Sequence, residues 1–288
     1  MRSTRPRTRA IGLPYARPVT LAPATTEAVL EKLGLPDRPQ PDRDGLDTLY
    51  LAWCRGVPFD NLVKRIHLVS GSTAPFPNGD PEWFLRSYVR DGAGGTCWPS
   101  SGGLHALLTA LGFDARRGSG AMYDHVSGPI HTHATVIVRI DGADYWVDSS
   151  MLTDVPLPLR RGEETRREEP VSPVRAEPVD DLWRVWWTGS GDGADIPCLL
   201  LDDDVTAEHY LVRYEASRGM SPFNTRVYAT RNVPGGRVTI GGPKRYERTA
   251  SGITATQLDD RARLLVEEFG FSEAIVAQLP PDDPPPPT

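Results

Sequence analysis

The sequence predicts an α+β fold whose chain runs through three consecutive regions. Apolar residues follow helical spacing up to about residue 112, strand and turn patterns dominate from about 113 to 200, and both kinds mix afterwards. Helices first, strands second and a mixture last is an order typical of the α+β class. A chain of 288 residues can hold one large domain or two to three small ones.

The first region is predicted to hold three helices before the first glycine-rich segment. Residues 26–33 form a short helix that ends at Gly34. Asp44 is placed to cap a second helix, which carries its apolar residues on one side. The pair Asp80 and Pro81 begins a third helix, because aspartate suits the cap and proline suits the first turn.

A fourth helix is predicted to begin at or just after Cys97. Pro99 fits its first turn and Gly112 is placed to end it. The positive end of the helix dipole would then lie at the Cys97 thiol and favour a thiolate. Gly94 and Gly95 are expected to leave room for a substrate to approach the backbone.

Two strands joined by a tight turn carry His133 and Asp148. The Asp-Gly pair at 141–142 is a strong signal for a two-residue hairpin loop. That loop makes the two side chains diagonal neighbours on one face, with Cβ atoms about 7 Å apart. A loop one residue longer would put them on opposite faces, so the prediction depends on this turn.

The remaining elements are predicted more coarsely. Residues 162–178 read as a charged, proline-interrupted surface loop. A helix is expected over 205–217, followed by strands within 223–249. A final helix is expected to start near Thr256.

Cys97, His133 and Asp148 suit the roles of nucleophile, base and orienter. A thiol beside an imidazole beside a carboxylate gives a strong nucleophile at neutral pH. If the three meet in space, the chain is a cysteine enzyme that works on acyl groups. A lone cysteine is more often an inert core residue, and Cys54 and Cys198, which lie in apolar runs, fit that description.

Two alternatives remain open for this set of residues. His131 lies two positions before His133 on the same face and competes for the base role. Cys97 and the two histidines could also be imagined as metal ligands. The short-spaced cysteine pairs of structural zinc sites are absent from the sequence, so we predict no metal site.

Composition restricts the class of protein. The charged fraction of 24% and the hydrophobic fraction of 39% are ordinary for a soluble globular protein, and no apolar run approaches a membrane span. The net charge of −6 argues against general nucleic-acid binding. Three widely spaced cysteines form no disulfide framework. We therefore expect a cytoplasmic protein that binds neither nucleic acid nor membrane.

The predicted boundaries follow these patterns. We expect a flexible, arginine-rich N-terminal tail over 1–23 and a proline-rich tail over 280–288. Between them lie a helical region at 24–112 that carries the nucleophile, a β region at 113–204 that carries His and Asp, and a C-terminal α/β region at 205–279.

Several segments together resemble one enzyme family, the arylamine N-acetyltransferases. The resemblance covers about residues 24 to 275, and the spacing of its Cys, His and Asp is the specific part. The segments that carry it are VPFDNL (57–62), GGTCW (94–98), LLTALGFDAR (107–116), THATVIV (132–138), YWVDS (145–149), MSPFNTR (220–226) and EEFGF (267–271).

The resemblance implies a fold and a reaction. The fold would be a helical first region, an antiparallel β-barrel-like second region and a C-terminal α/β lid, built on a papain-like cysteine-enzyme core. Cys97 would take an acyl group from a thioester such as acetyl-CoA, and an arylamine or related nitrogen nucleophile would then attack the acyl-enzyme. His133 would move the protons and Asp148 would hold its tautomer. Acetyl-CoA or another acyl thioester would be a co-substrate, with no covalently bound cofactor.

The same resemblance suggests substrate contacts at Phe59, Trp98, Ser149, Met151 and Phe223. Some of these positions lie where the chain departs from the family pattern. The family usually has Glu/Gln-His-Asn at 99–101, where this chain has Pro-Ser-Ser, and Val-Gly-Phe-Gly at 149–152, where it has Ser-Ser-Met-Leu. The second segment shapes the acceptor pocket in the family, so a different acceptor is expected.

Other functions remain open on sequence alone. One is an amide-forming acyltransferase of secondary metabolism with a different thioester donor, including an acyl carrier protein. Transglutaminase-like and papain-like hydrolases share the Cys–His–Asp order, and a non-catalytic binding protein on the same fold is a third possibility. Arg116 and Arg117 could meet CoA phosphates, but solvation at the surface is the favoured interpretation.

Overall fold

The computed structural model describes residues 21–123, 130–188 and 195–284. The predicted N-terminal tail lies almost wholly outside the described residues, as do the last four residues of the proline-rich tail. The predicted α+β class, with its barrel-like antiparallel region, is confirmed.

The N-terminal part is helical, as predicted. It contains five α-helices, one two-residue strand and one 3₁₀ turn at 77–79 among the described residues. The elements are α1 (Pro23–Lys32), α2 (Arg43–Gly56), β1 (Phe59–Asp60), α3 (Leu62–Val69), α4 (Pro81–Asp91) and α5 (Cys97–Ala110). Helix α3 was not predicted as a separate element.

Side chains at the helix starts fix two of these boundaries. Asp80 accepts a hydrogen bond from the Trp83 N–H at 2.8 Å, so the predicted start of α4 is confirmed. The predicted cap of α2 is wrong by two residues. Asp42, not Asp44, accepts the hydrogen bond from Gly45 N at 2.8 Å, and Asp44 lies inside the first turn.

The central part is an eight-stranded antiparallel sheet that nearly closes into a barrel. Its order is β5-β4-β3-β2-β9-β8-β7-β6, and the Thr165 hydroxyl on one edge strand donates to the Pro158 carbonyl on the other. The strands are β2 (Asp114–Met122), β3 (His133–Ile140), β4 (Ala143–Val147), β5 (Leu157–Leu159), β6 (Thr165–Arg167), β7 (Val174–Val179), β8 (Leu182–Thr188) and β9 (Asp195–Asp202).

The predicted surface loop at 162–178 is wrong, because β6 and most of β7 lie there. In β7, Val174 and Ala176 point inward and are buried. Arg175 and Glu177, which alternate with them, are half-buried and form an ion pair. Alternation of this kind is the period of a strand with one face on a core.

The C-terminal part forms a second sheet with order β1-β10-β11-β12-β13. The final helix was expected near Thr256, but that residue lies in β13, and α7 starts after Asp260, whose side chain accepts from Arg263 N at 2.9 Å. The elements are α6 (Ala207–Ala216), β10 (Tyr228–Val233), β11 (Gly236–Gly241), β12 (Lys244–Thr249), β13 (Gly252–Gln257), α7 (Arg261–Glu267) and α8 (Glu273–Val276).

The main hydrophobic core joins the first two parts around α5. It contains apolar side chains of α1, α2, α4 and α5 together with those of β3 and β4, including Leu104, Leu107, Val136 and Val147. This places the start of α5 against the β3–β4 hairpin. The division into separate domains stays a prediction. Within the described part of the chain, no helix combines the length and apolar character needed to span a bilayer.

Candidate active site

Cys97 is the first residue of α5, as predicted. Thr96 precedes it in an extended conformation, and the Ser100 N–H donates to the Thr96 carbonyl at 3.1 Å, which starts the helix. The Cys97 thiol is 3.9 Å from the Thr132 carbonyl oxygen, to which it donates. The sulfur therefore lies at the positive end of a 14-residue helix.

The glycines before Cys97 do not leave room for a substrate, so that prediction is wrong. A Cβ atom on Gly94 would overlap the Pro58 carbonyl oxygen, and one on Gly95 would lie 2.9 Å from the Pro99 Cγ. The chain itself fills the space. The Gly94 N–H donates to the Asp60 carboxylate at 2.7 Å, which fixes this segment below the thiol.

The β3–β4 hairpin has the predicted register. Residues 141–142 form the turn with positive φ of 50° and 80°, and Val136 pairs with Val147. His133 and Asp148 therefore meet on one face, and His133 Nε2 lies 2.7 Å from Asp148 Oδ2. The predicted diagonal contact is confirmed by this distance.

Asp148 is fully buried, and both its carboxylate and its backbone carbonyl accept hydrogen bonds. Its Oδ1 accepts from the N–H groups of Ser150 at 2.8 Å and Met151 at 2.9 Å. The Tyr50 hydroxyl donates to the Asp148 carbonyl at 2.8 Å. Burial alone would raise the pKa of Asp148, but the charge of His133 and these hydrogen bonds hold that pKa below its usual value.

His133 lies between the carboxylate and the sulfur. Burial opposes protonation of the ring, but the charge of Asp148, the hydrogen bond with Asp148 and the hydrogen bond with Cys97 raise the pKa of His133 to about 10. Since Nε2 faces Asp148, Nδ1 is the ring nitrogen left for the thiol. The ring thus carries a proton at neutral pH.

His131, the competing candidate for the base, lies elsewhere. Its Nδ1 is 2.7 Å from the Ser119 hydroxyl, whose oxygen is also 3.1 Å from His209 Nε2. Burial lowers the pKa of both histidines, that of His209 to about 4. Of the two candidates, His133 is the one that contacts Asp148.

The sequence matches a known family. A family model described as N-acetyltransferase matches residues 42–273. The chain belongs to the N-acetyltransferase family. The resemblance to arylamine N-acetyltransferases drawn from the sequence is thereby confirmed.

Relatives of this N-acetyltransferase family member agree in sequence and fold. An arylamine N-acetyltransferase of Mycolicibacterium smegmatis is 31% identical over 159 residues, which cover 52% of this chain and 53% of the relative. The alignment thus spans about half the length of that curated relative. The Mycobacterium marinum enzyme superposes with a TM-score of 0.76 at 19% identity, covering 88% of this chain and 98% of that one. The Salmonella typhimurium enzyme gives 0.75 at 18%, covering 90% and 98%.

Three of the five predicted substrate contacts are aromatic side chains around α5. The rings of Phe59 and Phe223 meet edge-to-face with centroids 5.1 Å apart, and Tyr228 packs against both. Trp98 is buried, with its ring 5.3 Å from that of Tyr210 on α6. Their role as substrate contacts stays a prediction.

The other two predicted contacts, Ser149 and Met151, are buried. The Ser149 hydroxyl lies 2.8 Å from that of Ser101. Met151 packs in the cluster inside the barrel that includes Trp146 and Leu157. A substrate role for these two side chains likewise stays a prediction.

Sequence reasoning missed Lys64, a buried cation near the candidate nucleophile. Its side chain is 2% exposed, and Nζ donates to the Ser217 hydroxyl at 2.9 Å. Burial lowers the pKa of Lys64 to about 8, while the charge of Cys97 acts in the opposite direction. A single lysine on a short helix carries no pattern that distinguishes it from a solvated one, so the sequence offered no signal.

Proposed function

We propose that this chain transfers an acetyl group from acetyl-CoA to an arylamine or related nitrogen nucleophile through an acetylated Cys97. The observation that carries the proposal is the contact between His133 and Asp148, which lie 2.7 Å apart. The influence of Cys97 on the pKa of His133 supports a position of the ring beside the sulfur. Membership of the N-acetyltransferase family supports the same reaction class.

In the first half-reaction, the Cys97 thiolate attacks the thioester carbonyl carbon. The new carbon–sulfur bond forms first and gives a tetrahedral oxyanion. The bond to the CoA sulfur then breaks, and the departing thiolate takes the proton held by His133. The Cys97 N–H, at the free end of α5, is placed to stabilise the oxyanion between these events. Acyl-cysteine and thioester are similar in energy, so this step is readily reversible.

In the second half-reaction, the acceptor nitrogen attacks the acetyl carbon of Cys97. An aromatic amine is weakly basic and therefore neutral at pH 7, so its lone pair is available. His133, now neutral, accepts the proton from nitrogen, and the Cys97 thiolate leaves. Asp148 holds the ring orientation and stabilises the imidazolium that forms. The product is an amide, and the thiolate–imidazolium pair is restored.

The identity of the donor rests on fold likeness. A structure of the Mycobacterium marinum arylamine N-acetyltransferase in complex with CoA superposes on this chain with a TM-score of 0.75 at 19% identity. We propose acetyl-CoA as the donor by analogy, and the cytoplasm as the compartment, because a working thiolate needs reducing conditions.

A second candidate is amide formation with another acyl thioester, including one carried by an acyl carrier protein. The observation in its favour is that segments 99–101 and 149–152 differ from the family pattern. Ser101 and Ser149 hydrogen-bond each other inside the protein, so these segments differ from the family pattern in their buried contacts, which supports a different acyl group or acceptor.

Intact-protein mass spectrometry tests the proposal. Acetyl-CoA should add one acetyl group to the wild type and none to Cys97→Ala, while Cys54→Ala and Cys198→Ala, which remove buried thiols, should load normally. Addition of an aromatic amine should discharge the acetyl group as the amide. Discharge by water alone would favour the hydrolase alternative. No loading from acetyl-CoA or from longer acyl thioesters would favour a binding protein.

A further inference from the structure

A pocket of about 230 Å³ lies beside the N-terminal part of α5. It is enclosed by residues 74–81, by the first turns of α5 and by one side of α6. Among the described residues Trp98 and Pro99 belong to its wall, whereas the Cys97 thiol lies outside it. Most of the wall is apolar and aromatic, with Phe76, Trp98, Tyr210 and Tyr214 supplying the rings.

One guanidinium, that of Arg117, reaches this apolar wall. Arg117 lies on β2 directly opposite Val136 of β3, a fully buried core residue. Directly paired residues share a face of the sheet, so Arg117 points toward the helices. Its neighbour Arg116 pairs with Asp144 at 3.2 Å and Asp203 at 3.0 Å. Both arginines are half-buried, so the expectation that they are solvated at the surface is wrong.

Arg117 has a charge but no partner for it. Within residues 21–123, 130–188 and 195–284, no carboxylate or carbonyl lies within hydrogen-bonding distance of its guanidinium, and Tyr210 and Asp204 act on it only through space. Burial lowers the pKa of the guanidinium. His105 nearby offers no counter-charge, since burial and Arg117 lower its pKa to about 4. Asp80, the acidic residue on the wall, is engaged in capping α4.

The pocket is kept open by a glycine that packing does not require. Gly102 lies inside α5, where glycine costs roughly 0.5–1 kcal/mol relative to alanine. A Cβ atom there would meet nothing closer than Pro81 Cγ at 3.9 Å and Tyr210 Cδ2 at 4.0 Å. The adjacent Gly103 differs, because its Cβ would overlap the Phe84 ring. The absent side chain at 102 therefore leaves space in the pocket and relieves no clash.

We propose that this pocket binds a small aromatic carboxylate, with the carboxylate on Arg117 and the ring among Trp98, Tyr210 and Tyr214. An engineered cavity of roughly 150 Å³ binds benzene, so about 230 Å³ accommodates one ring with its carboxylate. The planar guanidinium matches a carboxylate through two parallel hydrogen bonds. Such a ligand supplies the charge that Arg117 lacks and leaves no polar group facing the apolar wall.

The wall of this pocket does not include the thiol, and binding there does not depend on acetyl transfer. A ligand there contacts Trp98, the residue that follows the candidate nucleophile in α5, but it does not contact the sulfur. Binding can therefore be measured on the full chain with Cys97→Ala, whatever reaction the protein catalyses.

Isothermal titration calorimetry with benzoate and its neutral match benzamide tests the proposal. We expect benzoate to bind the wild type at least about tenfold more tightly than benzamide, a difference equivalent to about 1.4 kcal/mol. Arg117→Gln should abolish that preference, and Arg116→Gln, the matched control on the opposite face, should keep it. Gly102→Leu, which places a side chain in the pocket, should weaken both probes by a similar factor.

Several outcomes would overturn the proposal. They are no benzoate binding at millimolar concentration, equal affinity for the two probes, or benzoate affinity unchanged by either Arg117→Gln or Gly102→Leu. Loss of benzoate binding after alkylation of Cys97 would place the ligand in the catalytic cleft instead. If Gly102→Leu fails to fold by circular dichroism, Leu211→Phe fills the pocket from α6 and serves in its place.

Discussion

The Ser101 hydroxyl lies 2.8 Å from the Ser149 hydroxyl, and the same Ser101 oxygen donates to the Ala134 carbonyl at 2.9 Å. One buried side chain of α5 thus touches both the residue after His133 and the residue after Asp148. These contacts tie the helix that carries the sulfur to the hairpin that carries the ring and the acid. The two segments that depart from the family pattern meet at this point.

The hydrogen-bond directions make the two serines unequal. Because Ser101 gives its proton to Ala134, Ser149 must donate to Ser101. We expect Ser101→Ala to cost about 1–3 kcal/mol, since it leaves a buried hydroxyl and a carbonyl without this partner, and Ser149→Ala to cost about 1 kcal/mol. The double variant should cost less than Ser101→Ala alone, because it also removes the hydroxyl that the single variant leaves without a partner. Urea unfolding of the four proteins measures this, and additive costs would contradict the assigned directions.

Asp148→Asn should remove the carboxylate charge while keeping the hydrogen bonds that fix the side chain. The amide oxygen can keep the hydrogen bonds from Ser150 and Met151, but the NH₂ group then faces His133 Nε2. That nitrogen must accept, so the ring loses the tautomer and the charge that serve the sulfur. We expect alkylation of Cys97 by iodoacetamide at neutral pH to slow about 10²-fold or more, and the urea midpoint to fall because the buried pair with His133 is lost.

Asp144→Asn is the matched control, because Asp144 lies on β4 and pairs with Arg116 rather than with His133. It should leave the alkylation rate at the wild-type value. An equal rate for Asp148→Asn and the wild type would show that the carboxylate does not act on the sulfur.

The hairpin could be predicted from the sequence because its geometry is local. An Asp-Gly turn of two residues at 141–142 fixes the strand register, and register alone decides whether His133 and Asp148 share a face. The start of α4 was equally local, since Asp80 and Pro81 act within a single turn. The cap at Asp42 was missed because two acidic residues compete there and backbone geometry chooses between them.

Other features depend on distant parts of the chain. Residues 162–178 were predicted as a loop from their charges, although Val174 and Ala176 alternate with them at strand spacing, and the barrel supplies the pairing partners. The sequence alone predicts that Arg117 lies at the surface. Its burial follows from the packing of α6 beside α5, which no local sequence pattern indicates.

The pKa of His133 predicts how stability depends on pH. In the unfolded chain a histidine titrates near 6.5, and in the fold the pKa is raised to about 10. The folded state therefore holds a proton that the unfolded state loses. The stabilisation is complete below about pH 6.5 and is lost as pH rises toward about 10. Lys64 has the opposite effect on stability over the upper part of this range. Its pKa is lowered to about 8 in the fold, so its contribution to stability rises with pH above about 8.

Comparison with His133→Gln isolates the histidine from the lysine. The free energy of unfolding, measured in urea between about pH 6 and about pH 10, should fall more in the wild type than in the variant. Parallel pH profiles for the two proteins would mean that the ring is not protonated in the fold.

The glycines around Cys97 should respond in opposite ways to alanine. At Gly94 a Cβ atom would overlap the Pro58 carbonyl, and the segment cannot shift without breaking the hydrogen bond from Gly94 N to Asp60. We expect Gly94→Ala to destabilise by about 3 kcal/mol or more. Gly102→Ala meets only ordinary contacts at 3.9 and 4.0 Å, so the helix gains up to about 1 kcal/mol. Thermal unfolding of both variants measures the contrast, and a destabilised Gly102→Ala would show that the space beside α5 is smaller than the structure indicates.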